Sequence, residues 1–215
     1  MPNSSAADFQ KSDGMRYAPR GKPAPVCAKG EFAIAAAGLD HGHIYGQCNG
    51  LLEAGAHLKW VFDPDPAKVE QFRRTYPEAK AARSLDELLD DREVKLVAGA
   101  AVPCDRAALG FRAMAAGKDY FTDKSPFTTL DQLAQARRVV RETGRKYMVY
   151  YSERLHTECA MFAGELIVQG AIGKVIQVLG LGPHRLGPPA SRPGWSRMEM
   201  AVWSVYWTSL SVTTM

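Results

Sequence analysis

The sequence predicts an α/β fold built on a doubly wound parallel sheet with helices on both faces, and three observations carry that prediction. Short apolar runs of strand length alternate with segments of helical length, giving five or six strands; parallel strands need crossover connections, which those helices supply. Gly, Pro and N-capping residues punctuate the alternation where strands and helices should end. The chain of 215 residues is 46% hydrophobic and 23% charged, close to the average for soluble globular proteins, so it has the apolar content for a real core. It is too short for two complete α/β domains.

Residues 1–30, rich in Ser, Ala, Gly, Pro, Lys and Arg and without periodicity, read as a disordered leader, with the fold starting at Glu31. Phe32–Ala37 is an apolar run stopped by Gly38, a buried strand by its length and by the turn residues after it. A helix over 44–54 ends at Gly55, and His57–Phe62 is the next strand. Asp63-Pro64-Asp65-Pro66 closes that strand and opens a helix, with Asp65 as N-cap and Pro66 in first position. Ser84-Leu85-Asp86-Glu87 is a capping box before a short helix, and Lys95–Ala101 is strand. A helix over 105–116 stops at Gly117, Tyr120–Thr122 is a brief strand, and Thr129 with Gln132 caps a long helix running to Gly144. The strand Lys146–Tyr151 closes a first domain placed at 31–150. A helix over 155–169 and a strand over 173–180 begin a second, placed at 151–195, and an atypical tail over 196–215 contains Trp203 and Trp207.

Composition excludes several classes of function. The 27 basic residues against 23 acidic ones leave a net charge of +4, too small and too scattered for a nucleic-acid footprint. Cys27, Cys48, Cys104 and Cys159 form no C-x-x-C pair, so neither a zinc ribbon nor a redox motif is expected, and free thiols fit a reducing cytoplasm. No apolar run reaches the roughly 18 residues of a membrane span, and the first thirty residues lack the apolar centre of a secretory signal. The expectation is a cytoplasmic protein whose partner is a small molecule, with no nucleic acid and no membrane.

In a parallel α/β sheet, ligands bind beyond the carboxyl ends of the strands, which singles out Gly38, Asp63, Pro103 and Lys124. The loop Gly38-Leu39-Asp40-His41-Gly42-His43 lies where helix N-terminal amides would meet a dinucleotide's pyrophosphate. Against G-x-G-x-x-G, Asp40 stands at the second glycine and His43 at the third, so an ordinary glycine-rich turn competes with dinucleotide binding. Asp63 follows Gly38 by 25 residues, near the spacing at which a carboxylate takes ribose hydroxyls and repels a 2′-phosphate. An Asx-turn before Pro64 is the other reading, and one side chain can do both. That carboxylate predicts NAD ahead of NADP, with Arg73 or Arg74 as phosphate partners should NADP bind instead. His41 and His43, spaced i, i+2 with no third ligand nearby in sequence, predict no metal.

Further along, Pro103 followed by Arg106 and Ala107, then Ala116-Gly117-Lys118-Asp119-Tyr120 and Asp123-Lys124-Ser125-Pro126, resemble the stretch ending in Glu-Lys-Pro of the Gfo/Idh/MocA oxidoreductases, which include glucose-fructose oxidoreductase and inositol dehydrogenase. Ile172-Gly173-Lys174 is similar to the tripeptide that opens the family's substrate domain. The resemblance covers about 31–182. It implies a Rossmann-type dinucleotide-binding domain followed by an α/β substrate domain with a large open sheet, here present only as its start. The activity it implies is NAD(P)-dependent transfer of a hydride between nicotinamide and a sugar-like or polyol hydroxyl. Lys124 matches the lysine that lies near nicotinamide and substrate, where it positions a hydroxyl or helps move its proton; the bare sequence would suggest a solvated loop lysine. The implied cofactor contacts are Gly38, Asp40, His41, Gly42, His43, Asp63, Pro103, Arg106, Asp123 and Lys124. Arg154, His156 and His184 are weaker substrate candidates, competing with a Glu153–Arg154 surface pair and a helix cap at His156; Tyr150 lies near the end of the strand Lys146–Tyr151 before them. Full-length members are implied to be homo-oligomers, and the state of this chain is left open.

The chain departs from the family pattern at several points: Asp123 for Glu, Ser125 for Pro with Pro126 one place late, and Arg106 where many members have His. Ser196–Met215 contains no match to the family's Gly-Gly segment leading to an Asp and a His, so a nucleotide-binding module without turnover is the alternative function. One origin for such a tail is a shifted reading frame. Read from the third base of the Met200 codon, Met200-Ala201 encodes Gly with a second Gly permitted next, and Tyr206-Trp207-Thr208 encodes Leu-Asp. A natural divergent end is the other origin. Sequencing the gene separates them: a shift leaves a family-like alternative frame running on past the Trp195 codon, and stop codons in that frame soon after it reject the shift.

Overall fold

The structure, a computed structural model, describes residues 24–152 and 158–178. Residues 24–150 belong to one unit, and 151–152 with 158–176 to another. Most of the expected leader, the candidates Arg154, His156 and His184, and the tail lie outside the described residues.

In the first unit, β1 (Ala33–Ala37), β2 (His57–Phe62), β3 (Lys80–Ala81), β4 (Val94–Gly99), β5 (Asp119–Asp123) and β6 (Tyr147–Tyr150) pair in parallel in the order β3-β2-β1-β4-β5-β6. The helices between them are α1 (His43–Glu53), α2 (Pro66–Thr75), α3 (Leu85–Asp90), α4 (Pro103–Ala115) and α5 (Leu130–Thr143). Five strands stand where the apolar runs place them. The sixth, β3, is an edge strand of two residues, too short to leave a periodicity in sequence.

Double winding is built into β1. All five of its side chains are buried, and successive ones face opposite sides of the sheet. Ile34 and Ala36 join one core with Ile44 and Cys48 of α1 and Phe72 of α2; Ala35 and Ala37 join another with Leu85 and Leu88 of α3 and Ala113 and Met114 of α4. Strands step outward from β1 to β3 on one side and from β4 to β6 on the other, so the order reverses between β1 and β4. The chain leaving those two strands turns to opposite faces, and a crevice opens at their carboxyl ends.

Local capping explains where the helices begin. Asp65 Oδ1 accepts from Ala67 N at 2.9 Å with Pro66 in first position, and Thr129 with Gln132 forms both halves of its capping box. The box at Ser84 is half formed. Ser84 Oγ accepts from Glu87 N at 3.1 Å, but the Glu87 carboxylate turns to the Arg83 amide and guanidinium instead of the Ser84 amide. Helix α4 starts at Pro103, ahead of the predicted 105, because proline's missing N–H is not needed in the first turn.

Two expectations are corrected. Residues 24–30 are not leader: Val26 N donates to Ala54 O at 2.8 Å, and Gly55 packs so closely under Cys27 that a Cβ would sit 2.5 Å from its carbonyl oxygen. Such backbone anchoring leaves no mark on composition. In the second unit, α6 (Glu158–Val168) lies within the predicted helix and ends through Ala171 N donating to Leu166 O. No strand follows, however, in residues 173–178. Among the described residues no neighbouring strand pairs with them, and Ile176 is 91% exposed. None of the described helices is long and apolar enough to cross a membrane.

Tight packing of α4 on β5 yields a prediction. A Cβ at Gly110 would sit 2.4 Å from Cδ1 of the buried Tyr120 ring. Gly110→Ala should therefore destabilise the protein by about 1–3 kcal/mol through overpacking, against Ala's better helix propensity. Urea unfolding measures this, and a stabilised variant would reject the packing argument.

Candidate functional site

The glycine loop is stitched to the strands on both sides of β1. Gly38 N donates to Phe62 O at 3.2 Å, Ala100 N donates to Gly38 O at 2.9 Å, and His41 N donates to Ala100 O at 3.0 Å. Gly38 has φ +71, and a Cβ there would stand 2.8 Å from Ala101 Cβ, so conformation and close approach both demand glycine. Gly42 is the N-cap of α1 and makes no side-chain cap bond. Beside this loop lies a cleft of about 730 Å³, bounded by Gly38 and Asp40, the chain after β2 from Asp63 to Asp65, Lys68 of α2 and Val102 after β4.

Asp63 is buried at the end of β2. Its Oδ1 accepts from Asp65 N at 2.9 Å, which is the Asx-turn reading, and its Oδ2 accepts from Leu39 N at 2.7 Å, tying the glycine loop to β2. Each oxygen keeps a second lone-pair direction. Asp40, at the second glycine position, bridges two loops: Lys68 Nζ donates to Oδ1 at 2.5 Å and Val102 N to Oδ2 at 3.1 Å. Lys68 also stands 4.0 Å from Asp63 Oδ1 and lines the cleft. Sequence reasoning passed over it in favour of Arg73, which donates to Ala79 O, and Arg74, which pairs with Glu70 on the surface. The signal was its position, the third residue of a helix that starts immediately after Asp63-Pro64-Asp65.

A second constellation surrounds Asp123, which is fully buried at the end of β5. Pro103 starts α4 so that Arg106, one turn on and also fully buried, reaches across to β5. Its Nε donates to Ala101 O at 2.6 Å, Nη1 to Ser125 O at 3.2 Å and Nη2 to Asp123 Oδ2 at 3.2 Å. His41 Nδ1 lies 3.2 Å from Oδ2, His43 Nδ1 lies 2.9 Å from Oδ1, and Lys124 N donates to Oδ1 at 2.8 Å. The buried Gln47 amide, oriented to satisfy both its ends, donates to Phe121 O and accepts from Asp123 N at 3.2 Å each. Sequence offered no hint of Gln47. Lys124 is buried next to Asp123, and the Lys124–Ser125 peptide is cis. The Tyr150 ring meets His43 edge-on with centroids 6.0 Å apart.

Burial by itself would raise the Asp123 carboxyl, but hydrogen bonds from His41 and His43 and the Arg106 charge outweigh it and hold the group well below the usual carboxylate range. Burial lowers the His41 imidazole, partly offset by Asp123. The prediction of no metal rested on the lack of a third candidate ligand near the two histidines in sequence; the fold brings a carboxylate, Asp123, to His43 from 80 residues away.

The profile of the Gfo/Idh/MocA group, described as an oxidoreductase family with an NAD-binding Rossmann fold, matches residues 36–151, more than half of the chain. The chain belongs to this family. A solved structure of a proposed oxidoreductase from Erwinia carotovora atroseptica is 47% identical, with a TM-score of 0.70 over 75% of this chain and 48% of that one. The oxidoreductase YhhX of Escherichia coli K12 is 32% identical over 52% of this chain and 32% of its own length. D-xylose dehydrogenase from Paenarthrobacter nicotinovorans is 25% identical over 53% of this chain and 29% of its own. The chain thus matches about a third of the length of these curated relatives. Within this Gfo/Idh/MocA chain, the buried Arg106 guanidinium meets the buried Asp123 carboxylate directly.

Removing either partner of that pair strands a buried charge. Arg106→Met should cost about 3–5 kcal/mol of stability at pH 7, as when one partner of a buried pair is lost. The sign of the pH dependence follows from the lowered native carboxyl. The stabilisation of Asp123 is full above the unfolded value of about 3.9 and is lost as pH falls below it toward the native value. Urea titrations from pH 7 to pH 3 check both points, and a variant within about 1 kcal/mol of the parent at pH 7 would reject the pairing as an anchor.

Proposed function

We propose that this chain is the cofactor-binding part of an NAD-dependent oxidoreductase that moves a hydride between nicotinamide and a sugar-like or polyol hydroxyl. The observation that carries the reading is one juxtaposition: the cleft at the β1/β4 reversal and the buried Lys124 at the end of β5 share the carboxyl edge of one sheet. The residues present fit a dinucleotide. Gly38 supplies the close backbone approach, Asp63 keeps lone pairs for ribose hydroxyls, and Lys68 offers a cation to an anionic ligand beside the Asp40 carboxylate. When bound, nicotinamide supplies the hydride acceptor. Lys124 positions the reacting hydroxyl and assists its proton's departure. A sugar-like substrate is supported by the likeness to D-xylose dehydrogenase. Free thiols at Cys27 and Cys48 support a reducing cytoplasm, and burial pushes Cys48 up to about 12.

The alternative reading is nucleotide binding without turnover. One set of measurements separates the two. Fluorescence titration should give tighter NADH than NADPH binding, and equal or tighter NADPH binding would reject Asp63 as the discriminator and turn attention to Lys68. Lys124→Ala should abolish hydride transfer on pentoses and polyols while keeping NADH affinity within about tenfold. Saturable NADH binding with no turnover in the parent chain selects the second reading.

A further inference from the structure

We propose that His41, His43 and Asp123 form a binding site for a late first-row divalent metal ion such as zinc. One ring nitrogen of each histidine and a carboxylate oxygen all lie within 4.8 Å of one another, and the Nδ1 atoms stand 3.2 Å from Oδ2 for His41 and 2.9 Å from Oδ1 for His43. Ligands about 2.0–2.1 Å from a tetrahedral zinc ion stand roughly 3.3 Å apart, so the separations already approach those of a coordination shell. Two imidazoles and one carboxylate suit zinc, cobalt, nickel or copper better than magnesium or calcium.

The hydrogen bonding around these atoms points the same way. His41 Nδ1 has a single in-plane site and stands 3.3 Å from the His43 amide N and 3.2 Å from Asp123 Oδ2, which also accepts from Arg106 Nη2. A cation between imidazole and carboxylate would take the Nδ1 lone pair in place of the long contact from the His43 amide. Each carboxylate oxygen has, besides its imidazole, one fixed donor: Lys124 N on Oδ1 and Arg106 Nη2 on Oδ2. Such outer partners orient a ligating carboxylate. The carboxylate is fully buried while the imidazole side chains are 22% and 24% exposed, which leaves the outer side of the site open to a further ligand. Since Arg106 already balances Asp123, an arriving dication keeps its charge and favours an anionic oxygen or chloride as that ligand. Any proton on either Nδ1 leaves to solvent as the ion binds.

The probe is the metal alone on the purified full chain, so the outcome does not depend on any dehydrogenase activity. Cobalt(II) titration should give saturable visible absorption at one equivalent per chain, displaced by zinc, without the intense near-ultraviolet band of thiolate ligation. His41→Gln and His43→Gln should each weaken binding at least about tenfold, as loss of a ligand or its orienting partner does. Zinc should raise the parent's unfolding midpoint and not that of the double variant. Absence of saturable cobalt binding to the parent overturns the proposal. So does binding retained in the double variant, or a thiolate band that vanishes when the cysteines are blocked.

Discussion

A carboxylate taken wholly out of water has to find its charge balance and its hydrogen bonds where it lies, and Asp123 imposes that demand on every segment at its end of the sheet. Arg106 answers from α4, His41 and His43 from the loop and first turn of α1, and the Lys124 amide from the strand itself. The segments leaving β1, β4 and β5 are thereby held in one mutual arrangement. Arg106 widens the effect by donating to the carbonyls of Ala101 and Ser125, one in each of the two segments that flank it. The backbone beside Lys124 is consequently among the most heavily constrained at this edge, where a reacting group needs its geometry set in advance.

The cleft on the other side of the glycine loop is organised by weaker and more exposed charges. Asp63 is committed to two backbone amides and shapes the turn after β2. Asp40 and Lys68 are partly exposed, and a pair of that kind is worth only about 0–1 kcal/mol. Lys68 can therefore exchange Asp40 for an incoming anion at little expense, whereas nothing comparable is open to Arg106. One loop thus separates a charge-locked constellation from an adaptable one, and Gly38 lets its backbone approach Ala101 in the chain just after β4.

Legibility followed the range of the interactions. Asp65 before Pro66 and Thr129 before Gln132 cap their helices as read, because a cap is decided within four residues. Strand β1 was visible because a strand buried on both faces must be apolar throughout, so Phe32–Ala37 could not be confused with a surface helix. Strand β3 and the anchored segment 24–30 left no trace, since backbone pairing is blind to side-chain type. At 173–178 the opposite happened: Val175, Ile176 and Val178 have strand character, but a strand exists only with a partner, and none pairs with them among the described residues.

By itself the sequence determined that β-strands and α-helices alternate, that Gly38 ends the first strand, and that Asp63 and Lys124 stand at strand ends, all consequences of apolar periodicity and turn chemistry acting over short spans. Only the tertiary structure decided what those positions do to one another. The sheet order places β5 two strands from β1, and that arrangement brings Asp123 to His43, 80 residues away, and to Arg106. No local pattern encodes such a meeting, because it is fixed by which strands pair and by the need to neutralise a charge that folding has buried.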